Sequence, residues 1–249
     1  MSDETPRPDR RTLLAGMAAI AGAGAWPARG EQGSEQGSAM KHVVLLGDSI
    51  FDNKAYVGSG PDVIVQLREA LPSGWTATLA AVDGAITSDV SSQLKTMPAD
   101  ATHLIISAGG NDALQHEGLL REWALSVAGV LDKLAKIKAS FAKSYAAMLD
   151  AVAARKLPAA VCTIYEARYE DPDLRKIAAA GLSIFNDTIL REAFARGLPV
   201  IDLRIMFSDD ADYANDIEPS VKGGAKIARA IAELVTTHNF TQRRSEIYV

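Results

Sequence analysis

A series of short apolar runs, each too brief for a helix and separated by segments of helical length, narrows the folds open to this chain. His42 to Leu46 (HVVLL) is an uninterrupted apolar run, the pattern of a strand buried on both faces. Thr76 to Val82, Ala101 to Ser107 (ATHLIIS), Pro158 to Ile164 and Pro199 to Leu203 give four more predicted strands. Between them, Asp62 to Leu71 has mixed helical spacing and stops before Pro72, and Thr87-Ser88-Asp89 can cap a short helix running to about Leu94. Glu122 to Arg155, rich in Ala, Leu and Lys, predicts one or two helices, and Leu174 to Arg196 another with a break near Gly181. Ser220 caps a last helix, Lys222 to Val235. Strands alternating with helices imply an α/β domain whose parallel sheet is covered on both faces, with right-handed crossovers. No internal repeat or second-domain boundary is visible within residues 41–249.

Composition narrows the partners. The 249 residues, 48% hydrophobic and 23% charged, suit one globular α/β domain. The net charge is −5 and the folded part has no basic run, which argues against a nucleic-acid partner. The single cysteine, Cys162, excludes an internal disulfide and reads as a small hydrophobe in the fourth strand.

The first forty residues have another character. Arg10-Arg11 precedes a weakly apolar stretch, Leu13 to Ala25, followed by small residues, the order of an export signal. The paired arginines suggest the twin-arginine route, and the expected location is the periplasm or the exterior. Thirteen residues are too few to span a bilayer core of about 30 Å, so no membrane span is expected once the signal is removed. The predicted division is a signal over 1–28, a flexible linker over 29–40 (EQGSEQGS at its centre) and a folded domain over 41–249. If translation instead starts at Met40, directly before the first strand, the protein is cytoplasmic.

Ligands of open α/β sheets bind outside the carboxyl ends of the strands. There the chain carries Gly47-Asp48-Ser49-Ile50 after strand one, Gly84 after strand two and Gly109-Gly110-Asn111-Asp112 after strand three. Each block alone is an ordinary turn signal. Together, each at a strand end, they place a hydroxyl, a backbone amide and a side-chain amide on one rim, where Ser49 can act as a nucleophile. Glu218, just before the last helix, reaches the same rim.

In this order the blocks resemble those of the SGNH (GDSL-type) hydrolases, a family of esterases and lipases, over most of residues 41–236. The resemblance implies a flavodoxin-like three-layer sandwich with a five-stranded parallel sheet in the order 2-1-3-4-5. It also implies hydrolysis of carboxylic esters, or of acyl groups on thiols or sugars, through an acyl-enzyme on Ser49. The backbone N–H groups of Ser49 and Gly84 and the side chain of Asn111 would then form the oxyanion hole, and Asp48 would support the turn. Losing one such donor typically costs about 100- to 1000-fold in rate.

One block departs from the family. Its closing Asp-x-x-His-Pro stands here as Asn215-Asp216-Ile217-Glu218-Pro219, putting a glutamate in the place of the base and an asparagine in that of its orienter. A carboxylate is a competent general base, and an aspartate beside it would add like-charge repulsion that an amide avoids. The expected arrangement is a Ser49–Glu218 dyad with Asn215 donating a hydrogen bond to the carboxylate. Such a base should keep activity below the pH where an imidazole is protonated. The rival reading is a catalytically impaired relative that binds acylated or sugar ligands. A receiver-like or flavin-binding domain shares only the fold, without a phosphate-cradling loop or an acidic pair. Among the histidines, His116 can reach the cleft rim, His103 and His42 lie in strands, and His238 falls in a polar, solvated tail. Asp209, Asp210 and Asp212 read as a solvated acidic loop. No His/Cys/Asp/Glu spacing resembles a zinc or calcium site, so neither metal nor cofactor is expected. The Ser49 loop lacks a large apolar lid, which favours small acyl esters.

Overall fold

A computed structural model describes residues 40–249. The expected export signal over 1–28 and nearly all of the linker over 29–40 lie outside the described residues. Five parallel strands, β1 (Lys41–Gly47), β2 (Trp75–Leu79), β3 (His103–Ser107), β4 (Ala159–Cys162) and β5 (Val200–Ile201), run in the spatial order 2-1-3-4-5. A sixth, β6 (Ile247–Tyr248), pairs with β5 in parallel. The sequence reading stopped at five because two residues carry no alternation to read. The supposed polar tail instead folds back, and His238 is buried, stacked edge-on against Phe240 and 3.0 Å from Glu246 Oε2.

Alternation along β1 explains the three layers. Val43 and Leu45 point to one face, packing with α1 (Val63–Ala70) and α7 (Val221–Thr237). Val44 and Leu46 point to the other, against α2 (Val90–Thr96), α4 (Val127–Ala153) and α5 (Pro172–Arg196). Both sets are fully buried, which is why β1 reads as a continuous apolar run.

Helix boundaries follow their caps. Asp62 accepts from Val65 N to start α1, Ser126 from Gly129 N to start α4, and Ser220 from Lys222 N and Gly223 N to start α7. Residues 122–126 are therefore outside α4, and α5 runs unbroken through Gly181, since an interior glycine costs only about 1 kcal/mol against its packed neighbours. Two short helices complete the fold, α3 (Gly110–Leu114) and α6 (Leu203–Met206). Among the described residues, no helix is long and apolar enough to cross a membrane.

Candidate active site

Because all the strands are parallel, their carboxyl ends meet at one rim, and the loops that leave them build the site. Gly47 ends β1 at φ +127°, and a Cβ there would sit 1.7 Å from Ser107 O. Only glycine lets β1 and β3 stay paired at this point. Gln93, buried on α2, clamps the same residue: Gly47 N donates to its Oε1 and its Nε2 donates to Gly47 O, both at 2.8 Å. The turn beyond is fixed by Asp48 N donating to Ser107 O and by Ile50 N donating to Asp48 Oδ1. Ser49 is held at its tip.

Ser49 Oγ donates to Glu218 Oε1 at 3.1 Å, bridging 169 residues of sequence. Both side chains are buried, Ser49 with 7% of its surface exposed and Glu218 with 5%. The Glu218 segment is held through its backbone. Ala214 N donates to Glu218 O, Tyr165 Oη to Ile217 O at 2.6 Å and Asn53 Nδ2 to Pro219 O at 3.1 Å. Asn53 also accepts from Val63 N, so it ties the nucleophile loop, the start of α1 and the Glu218 segment together. Tyr165 also lines the pocket and stacks on Phe207.

Asn215 requires a correction. It is exposed, and its Oδ1 accepts from the backbone N–H of Ile217 and Glu218, each at 2.9 Å. The amide therefore shapes the turn that presents Glu218 and does not donate to its carboxylate. An asparagine two or three residues before N–H donors favours this local turn over a longer reach.

The Gly84 turn and the third block are stitched to each other. Asn111 Nδ2 donates to Ala85 O at 3.0 Å, while Asp112 accepts from Thr87 N and Thr87 Oγ1. Asp52 Oδ2 accepts from Asp83 N, joining that turn to the nucleophile loop. One amide hydrogen of Asn111 stays uncommitted, and among the described residues the backbone N–H groups of Ser49 and Gly84 have no protein partner. Gly84 adopts φ +79°, is exposed and does not line the pocket that Ser49, Asn111 and Glu218 share.

Electrostatically the site is acidic. Burial pushes the Glu218 carboxyl up from 4.5 to about 7, opposed by the bond from Ser49 and reinforced by Asp83. Glu218 Oε2 is buried with no hydrogen-bond partner among the described residues, so half of the carboxylate lacks the donors that would favour its charge. Burial likewise pushes Asp48 to about 8, partly offset by Ile50 N–H, with Glu218 and Asp112 adding repulsion. Burial thus disfavours the charged form of both carboxyls, and most strongly that of Asp48.

Sequence reasoning missed Gln93 and the paired roles of Asn53, because a lone amide carries no spacing signal. The acidic loop also differs from its reading: Asp212 is fully buried and paired with Lys226 Nζ at 2.6 Å. His116 lines the pocket, whereas His42 and His103 are buried in the strands. Among the described residues no group of three or more His, Cys, Asp or Glu side chains is arranged to hold a metal.

A family model described as the GDSL-like Lipase/Acylhydrolase family matches residues 45–226. No curated protein sequence matches the chain. Among solved structures, an extracellular lipase from Streptomyces rimosus is 19% identical, covering 80% of this chain and 100% of its own, with a TM-score of 0.57. A phospholipase A1 from Streptomyces albidoflavus is also 19% identical, over 81% of this chain and 100% of its own, at 0.53. An acetyl xylan esterase, AlAXEase, is 17% identical over 79% and 100%, at 0.56. At these identities the likeness is one of fold.

Proposed function

Because the chain belongs to the GDSL-like lipase/acylhydrolase family, we propose that it is a serine ester hydrolase in which Glu218 takes the place of the usual histidine base. The observation that carries this reading is the buried hydrogen bond from Ser49 Oγ to Glu218 Oε1.

In the proposed reaction Ser49 Oγ attacks the ester carbonyl carbon while its proton passes to Glu218. The carbonyl π pair moves onto oxygen, where the N–H groups of Ser49 and Gly84 and the free amide hydrogen of Asn111 stabilise the charge. Collapse breaks the bond to the alcohol oxygen, which takes the proton from Glu218 and departs. Water then attacks the acyl-enzyme, Glu218 accepts its proton, and collapse returns that proton to Ser49 Oγ as the acid leaves. A base that shuttles one proton works best with a pKa near the working pH, which the raised value of Glu218 supplies.

That value revises one expectation. Catalysis needs the carboxylate, so activity should rise with pH through about 7 and fade below it, as it would with imidazole. The pH profile therefore does not tell the two bases apart; the Gln variant does. On an aryl ester, Glu218→Gln should lower kcat by about 100- to 10,000-fold with little change in KM. Ser49→Ala should abolish both turnover and labelling by a fluorophosphonate probe. Wild-type turnover in Glu218→Gln, or no labelling of the native protein between pH 6 and 9, would instead favour a binding protein that has kept the pocket.

A further inference from the structure

Leading away from Ser49 is a cleft of about 960 Å³, counting its open mouth, whose walls are mainly aliphatic. Leu114, Leu119 and Leu120 come from α3 and the turn after it, Leu134 and Ile137 from α4, and Leu182 from α5. Phe185, buried against Phe141 at 4.8 Å, is a further wall. The lining contains no Lys or Arg to meet an anionic group. Gly181 leaves a gap in the α5 wall: a Cβ built there would have Leu120 Cδ2 as its nearest neighbour, at 3.7 Å. The small lid-free site expected from the Ser49 loop is thus not what the other loops build.

Resting on the esterase reading, we propose that this cleft takes the hydrocarbon chain of a medium-length acyl ester, and that Gly181 and Leu120 set the chain length accepted. Along α5 the lining extends from Ala178 to Phe185, about 10 Å of helix, roughly the reach of an eight-carbon chain. Each methylene taken from water there should raise kcat/KM about fourfold until the cleft is filled.

The kinetic test compares p-nitrophenyl acetate, butyrate, octanoate and palmitate. For the native protein kcat/KM should peak near octanoate. In Gly181→Leu, which also removes an interior helix glycine and so does not weaken α5 by propensity, the octanoate-to-acetate ratio should fall at least about tenfold. Gly181→Ala should give a smaller fall, and Leu120→Ala should move the optimum to longer chains. A maximum at acetate, or an unchanged ratio in Gly181→Leu, overturns the proposal. Binding separates its failure from that of the esterase reading: decan-2-one, a neutral ketone with an eight-carbon chain, is titrated by calorimetry into Ser49→Ala and Ser49→Ala/Gly181→Leu. At least about tenfold weaker binding in the double variant supports the pocket even if no ester is cleaved. Equal affinity, or no binding to either, rejects it.

Discussion

The two walls of the site are built in opposite ways. The polar wall comes from loops at four strand ends and is stitched by directional bonds: Gln93 to Gly47, Asn53 to Pro219, Asn111 to Ala85 and Asp112 to Thr87. The apolar wall comes from α3, α4, α5 and the turn between α3 and α4, and is held by non-directional packing. Hydrogen bonds fix atoms within a few tenths of an ångström and fail abruptly when a partner is lost. Aliphatic packing tolerates shape changes that conserve volume. Substitutions in the polar wall should therefore alter rate or stability, and those in the apolar wall should alter preference among substrates.

Four experiments test this division. The largest effect should come from Asn111→Ala, which removes a proposed oxyanion donor and the tie to Ala85. A fall in kcat of about 100- to 1000-fold, with KM little changed, is expected in steady-state assays; a change confined to KM would place Asn111 among binding groups only. Next is Gln93→Leu, which strands the buried N–H of Gly47 although it touches no substrate; the Gly47 carbonyl keeps its bond from Val82 N. The substitution should cost about 1–3 kcal/mol in denaturant unfolding, and no measurable loss would mean the clamp is redundant.

Glu218→Gln should separate activity from stability. The folded pKa of Glu218 is raised from 4.5 to about 7, so the stability owed to its neutral form is complete below about 4.5 and is lost as pH rises through 7. A neutral glutamine escapes that loss. The variant, slow as a catalyst, should be more stable than the native protein by about 2–3 kcal/mol at pH 8, with the gap closing by pH 5. A gap independent of pH would show that Glu218 titrates normally. The smallest effect belongs to Asp83→Asn. Removing that negative neighbour should move the acid limb of the pH–rate curve down by less than about half a unit, and an upward move would contradict the assigned sign.

What was readable beforehand divides along the same line. Continuous apolar runs such as His42 to Leu46 revealed the parallel sheet and hence the shared rim. The blocks around Ser49 and Asn111 were visible because turn residues fell at strand ends. Glu218 could be picked out by its place before Pro219 and the last helix. Asn215 was misread because a side chain that can reach either a neighbouring backbone N–H or a distant carboxylate leaves the choice to turn geometry. The apolar cleft was missed because its walls look like ordinary helix faces: Leu120, Ile137 and Leu182 share no local pattern and become a surface only when three segments are packed.

The α/β class, the strand order through the family resemblance, and the side chains able to do chemistry all follow from periodicity and residue type along the chain. The direct bond from Ser49 to Glu218, the burial that raises the pKa of that carboxyl to about 7, and the hydrocarbon-lined cleft beside them emerge from packing. Distance, desolvation and empty volume arise between segments far apart in sequence, so no local pattern encodes them.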